Sequence, residues 1–178
     1  TIVSILNELG YQTLESEVLN AKHFGLPQNR ERIFIVGFKK NVNFQFPTPP
    51  ETSTRLGNIL QKKVSSKYTI SDKLWAGAQA RKQKHLDKGY GFGYSLFDRN
   101  AEYTSTISAR YYKDGSEILI KQKNNNPRKL TPLEASRLQG FPDDFIIPVS
   151  DSQAYRQFGN AVPVSVIRAV AKQMIKHF

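Results

Sequence analysis

The sequence predicts a mixed α/β chain with a boundary after its first strands and a helical last third. Three observations carry this. Ile33-Phe34-Ile35-Val36-Gly37-Phe38 is apolar on both faces, the pattern of a strand buried in a larger sheet. Residues 41–67 hold Pro47, Pro49 and Pro50 among serines and threonines, a composition that marks a boundary. The last third, from about residue 128, is helical and well signposted.

The elements follow in order. Ile2, Val3, Ile5, Leu6 and Leu9 recur at helical spacing, with Thr1 as a cap and Gly10 as a stop. A helix so apolar from its first turn needs a large surface to pack on, which predicts a further portion N-terminal to this one. Leu14 to Leu19 alternates in part and predicts a strand. NAKHFGLPQNRER then forms a loop punctuated by Gly25 and Pro27, and the buried strand follows.

A helix rich in Lys and Arg is expected at about 71–86. GYGFGYSLF and YTSTISARYY suit short strands and tight loops, Ile118 to Ile120 another strand, and NNNP closes the region at 124–127. Thr131-Pro132-Leu133-Glu134 is a capping box with Pro at the first helical position, and Gly140 ends that helix. Ser150 with Gln153 caps a second helix, predicted to stop at Gly159. Pro163 opens a third, with Val164, Ile167, Val170, Ala171, Met174 and Phe178 as its apolar stripe. Lys172, Lys176 and His177 complement its dipole.

Composition narrows the function. Lys and Arg number 26 against 15 Asp and Glu, a net charge of +11 that repels itself and suits a polyanion, nucleic acid above all. With no cysteine, disulfides, cysteine-ligated zinc and thiol catalysis are excluded within this chain. His23, His85 and His177 are too scattered to suggest a metal site. No apolar run approaches the ~18 residues of a membrane span. No charged-then-apolar leader is present, so a cytoplasmic, nucleoid-associated location is expected. GYGFGYSLF lacks the Lys-Ser/Thr ending and the preceding strand of a phosphate loop. Gly89, Gly91 and Gly93 instead read as flexible positions among aromatics. Arg99, Arg110 and Lys113 are candidates for base-edge or backbone contacts.

Gln28-Asn29-Arg30-Glu31-Arg32 leads straight into the buried strand. Extended residues two apart share a side, so Gln28, Arg30 and Arg32 should line one face and Glu31 the other. Two guanidiniums on the lip of a sheet can clamp a phosphate or a carbonyl oxygen. The spacing equally allows a solvated charge cluster. Gly159-Asn160-Ala161-Val162 precedes a helix N-terminus, where backbone N–H groups and the positive helix end suit an anion. A plain turn, with Asn in the left-handed conformation, is the other reading.

A resemblance separates these readings. GLPQNRERIFIVG resembles the QxRxR motif of DNA cytosine-5 methyltransferases. RKLTPLEASRLQGFPDDF resembles that family's ninth motif and YRQFGNAVPVSVIRAVA its tenth, in the family's order. The motifs cover roughly the first 40 and last 50 residues, and the middle matches mainly by position. The resemblance implies that Arg32 contacts the carbonyl oxygen of a flipped cytosine, that Arg30 holds nearby backbone, and that Gln28 shapes the same site. Ser105-Thr106-Ile107-Ser108 resembles the Thr-Leu element of the family's target recognition domain, which would set Thr106 against a phosphate. Asn160 and Ala161, with Val162 beside them, would seat the carboxylate end of S-adenosylmethionine. Leu133 departs from the pattern, where Arg is more typical, which touches only a local bracing contact. Arg137 in the same motif reads as a packing or salt-bridge residue before a DNA ligand.

The implied architecture is a partial doubly wound methyltransferase sheet plus a small α+β target recognition domain. Residues 1–44 would supply strands of the catalytic domain with the QxRxR motif. Residues 45–127 would be the recognition domain, and 128–178 the helices that brace it and return to the catalytic domain. The family's Pro-Cys, Glu-Asn-Val and Phe-x-Gly-x-Gly elements do not occur here. The resemblance therefore implies a chain inactive alone, completed by an N-terminal catalytic half in cis or as a separate subunit, with duplex DNA as partner. A natural second subunit of a split restriction-modification methyltransferase is one origin. A non-enzymatic DNA-binding module is the rival class. A tRNA methyltransferase relative is a third reading, for which the basic insert between motifs is long.

Overall fold

The structure is a computed structural model that describes residues 1–50, 52–91 and 93–178. Helix α1 (Ile2–Glu8) begins as expected, with the Thr1 hydroxyl accepting from the Ser4 N–H. Strands β1 (Thr13–Asn20) and β2 (Glu31–Phe38) pair antiparallel over eight residues, Val18 opposite Ile33. Helix α2 (Asp72–Asp87) is capped by Ser71. Two-residue strands β3 (Leu96–Phe97) and β4 (Leu119–Ile120) pair parallel. Helices α3 (Pro132–Leu138), α4 (Asp151–Asn160) and α5 (Val164–Met174) complete the chain.

Two hydrophobic cores organise these elements. The β1–β2 hairpin, the loop after it and α5 share one, built from Leu19, Phe24, Leu26, Val36, Phe38, Phe44, Val166 and Val170. The middle region, α3 and α4 share the other, centred on Leu56, Ile107, Tyr111, Ile118, Leu130, Leu138 and Phe158. The chain therefore returns to its first unit between α4 and α5. Burial of this kind contributes about 25 cal/mol per Å² of apolar surface and dominates the stability of each unit.

Several sequence expectations are corrected. The strand at 33–38 joins only β1 among the described residues, and Ile33 is 64% exposed although its run is apolar on both faces. The stripe of α5 is rotated from its predicted position. Val166 and Val170 face the core, Ile167 is largely exposed and Phe178 is 87% exposed, because α5 packs on a two-stranded hairpin. YTSTISARYY forms no strand; its backbone is satisfied by isolated contacts and turns. Phe92 of the aromatic loop lies outside the described residues.

The capping box on α3 is present, and it does more than close a helix. The Glu134 carboxylate accepts from the N–H groups of Thr131 and Gln61 and receives both terminal nitrogens of Arg128, at 2.7 and 2.9 Å. Both side chains are buried, so the pair is shielded from water and locked by four hydrogen bonds. Close by, the Tyr155 hydroxyl donates to the Leu130 carbonyl, and its ring meets Tyr111 edge-on at 5.1 Å. Burial raises the Tyr155 hydroxyl pKa, so it stays protonated as a donor at any ordinary pH. Tyr155→Phe keeps the ring and removes one donor. A loss of about 1 kcal/mol follows, roughly 2–4 °C in melting temperature for a chain of this size. An unchanged thermal melt would show that the hydroxyl adds no net stability.

Candidate nucleic-acid interface

The segment Gln28-Asn29-Arg30 is the seam of the molecule. Its shape starts at Asn20, whose side-chain oxygen accepts from the N–H groups of Lys22 and Arg30 and so closes the loop between the strands. The Arg30 carbonyl accepts from the Ala21 N–H. With the loop fixed, residues 27–29 pair with the distant segment 104–107. Thr104 N–H donates to Pro27, Asn29 N–H donates to Thr104, and Ile107 N–H donates to the Gln28 side chain at 2.9 Å. The Thr106 hydroxyl donates to the Asn29 carbonyl at 2.7 Å. The Gln28 amide nitrogen reaches the Leu138 carbonyl.

Arg30 joins three parts of the chain. One terminal nitrogen donates to the Ile107 carbonyl at 2.9 Å, and the other to the carbonyls of Gly159 and Ala161 at 2.9 and 3.0 Å. The last two lie at the C-terminal end of α4, where the negative end of the helix dipole favours a cation. No carboxylate forms an ion pair with Arg30 among the described residues. Burial, with Arg32 close by, pulls its pKa down to about 10, still high enough to keep the charge at neutral pH. Its Nε is buried without a partner among the described residues.

The predicted clamp is thus divided. Gln28 and Arg30 are buried and spent on partners inside the chain, whereas Arg32 is exposed and, among the described residues, donates only to the Glu31 carbonyl, at 2.6 Å. Alternation along an extended chain applies within β2, which begins at Glu31; tertiary contacts place the residues before it. Around Arg30 the structure gathers Thr106, Asn160, Ala161 and, two residues along the strand, Arg32. Asn160 and Val162 are exposed and Ala161 is half-buried. Asn160 is the last residue of α4 and not in the left-handed conformation, and Gly159 does not stop the helix.

Gly159 has a different reason to be glycine. A Cβ there would lie 2.3 Å from the Ser108 carbonyl carbon and oxygen and 2.4 Å from the Ala109 nitrogen. The backbone after Thr106 therefore rests directly on α4. Arg110 and Lys113 are exposed on the turn that follows. The Arg99 guanidinium donates to the Gly57 carbonyl at 3.0 Å. Arg137 binds Asp143 through two hydrogen bonds and is a salt-bridge residue.

At the start of α5 the Val164 N–H donates to the Gln139 carbonyl, while the Ser165 hydroxyl is buried with no partner among the described residues. The first helical turn offers N–H groups that the helix itself cannot satisfy. An unpaired hydroxyl next to them makes a donor set that fits a carboxylate. Among the described residues no cluster of three or more His, Cys, Asp or Glu could hold a metal ion, and no helix is long and apolar enough to cross a membrane.

Residues 1–176 match the family model described as C-5 cytosine-specific DNA methylase. The chain belongs to that family. It is 62% identical over 179 residues to the Type II methyltransferase M.SsoII of Shigella sonnei, covering 98% of this chain and 47% of the relative. It is 59% identical over 181 residues to the Type II methyltransferase M1.ScrFI of Lactococcus lactis subsp. cremoris, covering 99% of this chain and 46% of that one. The chain thus spans about half the length of these curated relatives. Among solved structures, the S. pombe Dnmt2 methyltransferase superposes with a TM-score of 0.79 at 14% identity, covering 99% of this chain and 61% of that one. The Entamoeba histolytica methyltransferase EhMeth gives 0.78 at 20% identity, covering 99% and 57%. At these identities the likeness speaks for the mixed α/β methyltransferase fold.

Sequence reasoning missed Gln139, which is fully buried and whose amide donates to the Phe158 carbonyl at 2.6 Å while its own carbonyl holds α5. A glutamine at the end of a helix carries no local signal. Its role arises where α4, α5 and the Gln28 loop meet.

Proposed function

We propose that this chain is the DNA-reading and site-completing part of a cytosine-5 methyltransferase. In this reading residues 1–44 belong to the catalytic domain, 45–127 form the target recognition domain, and 128–178 brace that domain and return to the catalytic one. The observation that carries the proposal is Arg30. It fixes the Thr106 segment and the Asn160–Ala161 turn to the base of β2, which leaves Arg32 exposed beside them.

Arg32 then offers its free guanidinium N–H groups to the carbonyl oxygen of a cytosine swung out of the stack, and Thr106 and Asn29 hold the adjoining strand. Gln28 and Arg30 position this edge without touching DNA. Arg110 and Lys113, on the turn resting on Gly159, meet the duplex next to it. Asn160, Ala161 and Val162, with the first turn of α5, hold the carboxylate end of S-adenosylmethionine, which supplies the methyl group when bound. The nucleophilic cysteine must come from outside, since the chain has none. The remainder of the enzyme, in cis or as a separate subunit, is expected to cover apolar residues exposed here, Ile2, Ile5 and Leu9 on and just after α1 and Val18 and Ile33 on the hairpin. Location in the cytoplasm, at the nucleoid, follows from a DNA substrate.

The test is to mix this chain with the complementary part of a relative such as M.SsoII and follow labelled methyl transfer to duplex DNA. Transfer should appear only in the mixture. Arg32→Ala should lower it about 100-fold or more, the loss typical of removing one donor from a developing negative charge. Transfer at the wild-type rate in Arg32→Ala would remove Arg32 from the site. Duplex binding with no transfer in any mixture would favour a non-enzymatic DNA-binding module.

A further inference from the structure

We infer that a second groove, formed by residues 60–64 and 120–125 beside Arg99, is a docking track for the phosphate backbone of the duplex flanking the target; this rests on the function proposed above. The groove encloses about 550 Å³, and Lys62, Lys63, Arg99, Lys121 and Lys123 line it with no carboxylate among the lining residues. All four lysines are exposed. Lys121 reaches Asp98 at 3.6 Å across a half-exposed surface, where an ion pair is worth little. Lys62, Lys63 and Lys123 form no ion pair among the described residues. Cations crowded along one concave wall repel each other until a polyanion enters. Lysine, a compact hydrated charge on a flexible stem, suits phosphate oxygens more than base edges.

The groove is built, not a chance gathering of loop ends. Its floor is held by Lys121 N–H on the Phe97 carbonyl and by Ile120 paired with Arg128, itself locked to Glu134. Its other wall is fixed where Gly57 N–H meets the Arg99 carbonyl, with no room for a Cβ at Gly57. Arg99 and Thr106 are joined by a short stretch of chain that spans at most about 25 Å. Thr106 is bonded to Asn29 in the proposed base site. At about 3.4 Å per nucleotide along one strand, the groove falls within roughly seven base pairs of the target. Contacts there steady the complex without reading sequence.

The experiment measures binding of the 178-residue chain to a duplex of about 30 base pairs by fluorescence anisotropy, between 50 and 200 mM salt. The wild-type chain should give a log–log slope on the order of −5. Replacing Lys62, Lys63 and Lys123 with Gln should make it about 2.7 less negative, at about 0.9 per phosphate. A charge-matched variant at exposed lysines elsewhere, K40Q/K84Q/K172Q, should move it by less than about 1, and circular dichroism checks that both variants fold. Equal changes in the two triple variants, or none in the groove variant while the wild type binds, would overturn the groove and leave the proposed function intact. Absence of duplex binding by the wild-type chain, alone and mixed with the complementary part of a relative, would overturn both.

Discussion

Gly159→Ala is expected to destabilise the chain by about 3 kcal/mol or more, lowering its melting temperature by roughly 6–12 °C. Two effects of opposite sign compete. Gly159 lies inside α4, so alanine gains about 1 kcal/mol of helix propensity. Against this, the new Cβ would sit 2.3 Å from the Ser108 carbonyl and 2.4 Å from the Ala109 nitrogen. Those are backbone atoms, and Ile107 just before them is held by Gln28 and Arg30, so they cannot swing aside as a flexible side chain would. Steric exclusion wins. Gly77→Ala in α2 provides the contrast, because nothing lies within 4 Å of a Cβ there. That variant should be more stable by up to about 1 kcal/mol. Thermal melts of the two variants side by side decide the matter; a stabilised Gly159→Ala would mean that the 108–109 backbone does not rest on α4. In the anisotropy measurement Gly159→Ala should also weaken duplex binding, since the turn carrying Arg110 and Lys113 would be displaced.

The second large effect is at Arg30. Arg30→Ala leaves the carbonyls of Ile107, Gly159 and Ala161 without their donor, in a place where each unpaired group costs about 1–3 kcal/mol. Part of that loss is offset, because the substitution also removes a buried cation with an unpaired Nε, and water can enter the vacated space. A net loss of about 2–4 kcal/mol follows. Arg30→Lys separates charge from geometry. It keeps the cation near the α4 C-terminus but cannot span Ile107 and the Gly159–Ala161 pair with one ammonium, so it should recover less than half of the loss. Urea midpoints at pH 7 read this directly, provided the slope of the transition is unchanged. With the Arg30 pKa near 10, depressed from its ordinary value, protonation of this group tilts stability only above about pH 10, where stability rises with pH. At pH 7 the comparison therefore reads hydrogen-bond geometry. Full recovery in Arg30→Lys would reduce Arg30 to a point charge at a helix end.

Much of the local structure was legible because its causes are local. Thr1, Thr131 and Ser150 cap their helices through their own hydroxyls, and Gly140 after α3 takes a φ of +80° that other residues avoid. The apolar run at 33–38 does form a strand. The residues singled out in the QxRxR and GNAV segments also come together, at Arg30. What spacing misjudged was the division of labour within them. Arg30 and Arg32 are two apart and identical in type, yet one is sealed among carbonyls and the other is open to solvent. The partners that seal Arg30 lie 77 and about 130 positions away, and no local pattern announces them. Arg99, a candidate for base-edge or backbone contacts in the sequence, lines the lysine groove, a placement that no local pattern announces.

By itself the sequence determined most of the helices and the β1–β2 strands, the net charge of +11, the absence of a thiol nucleophile and the order of motifs that marks the family. These depend on side-chain chemistry and short-range periodicity. Only the tertiary structure decided that Arg30 is a buried tie and Arg32 the free donor, that Gly159 is a point of backbone contact, and that scattered lysines share one groove. Those outcomes depend on which distant carbonyls and cations share a few ångströms, and that is fixed when the two cores pack.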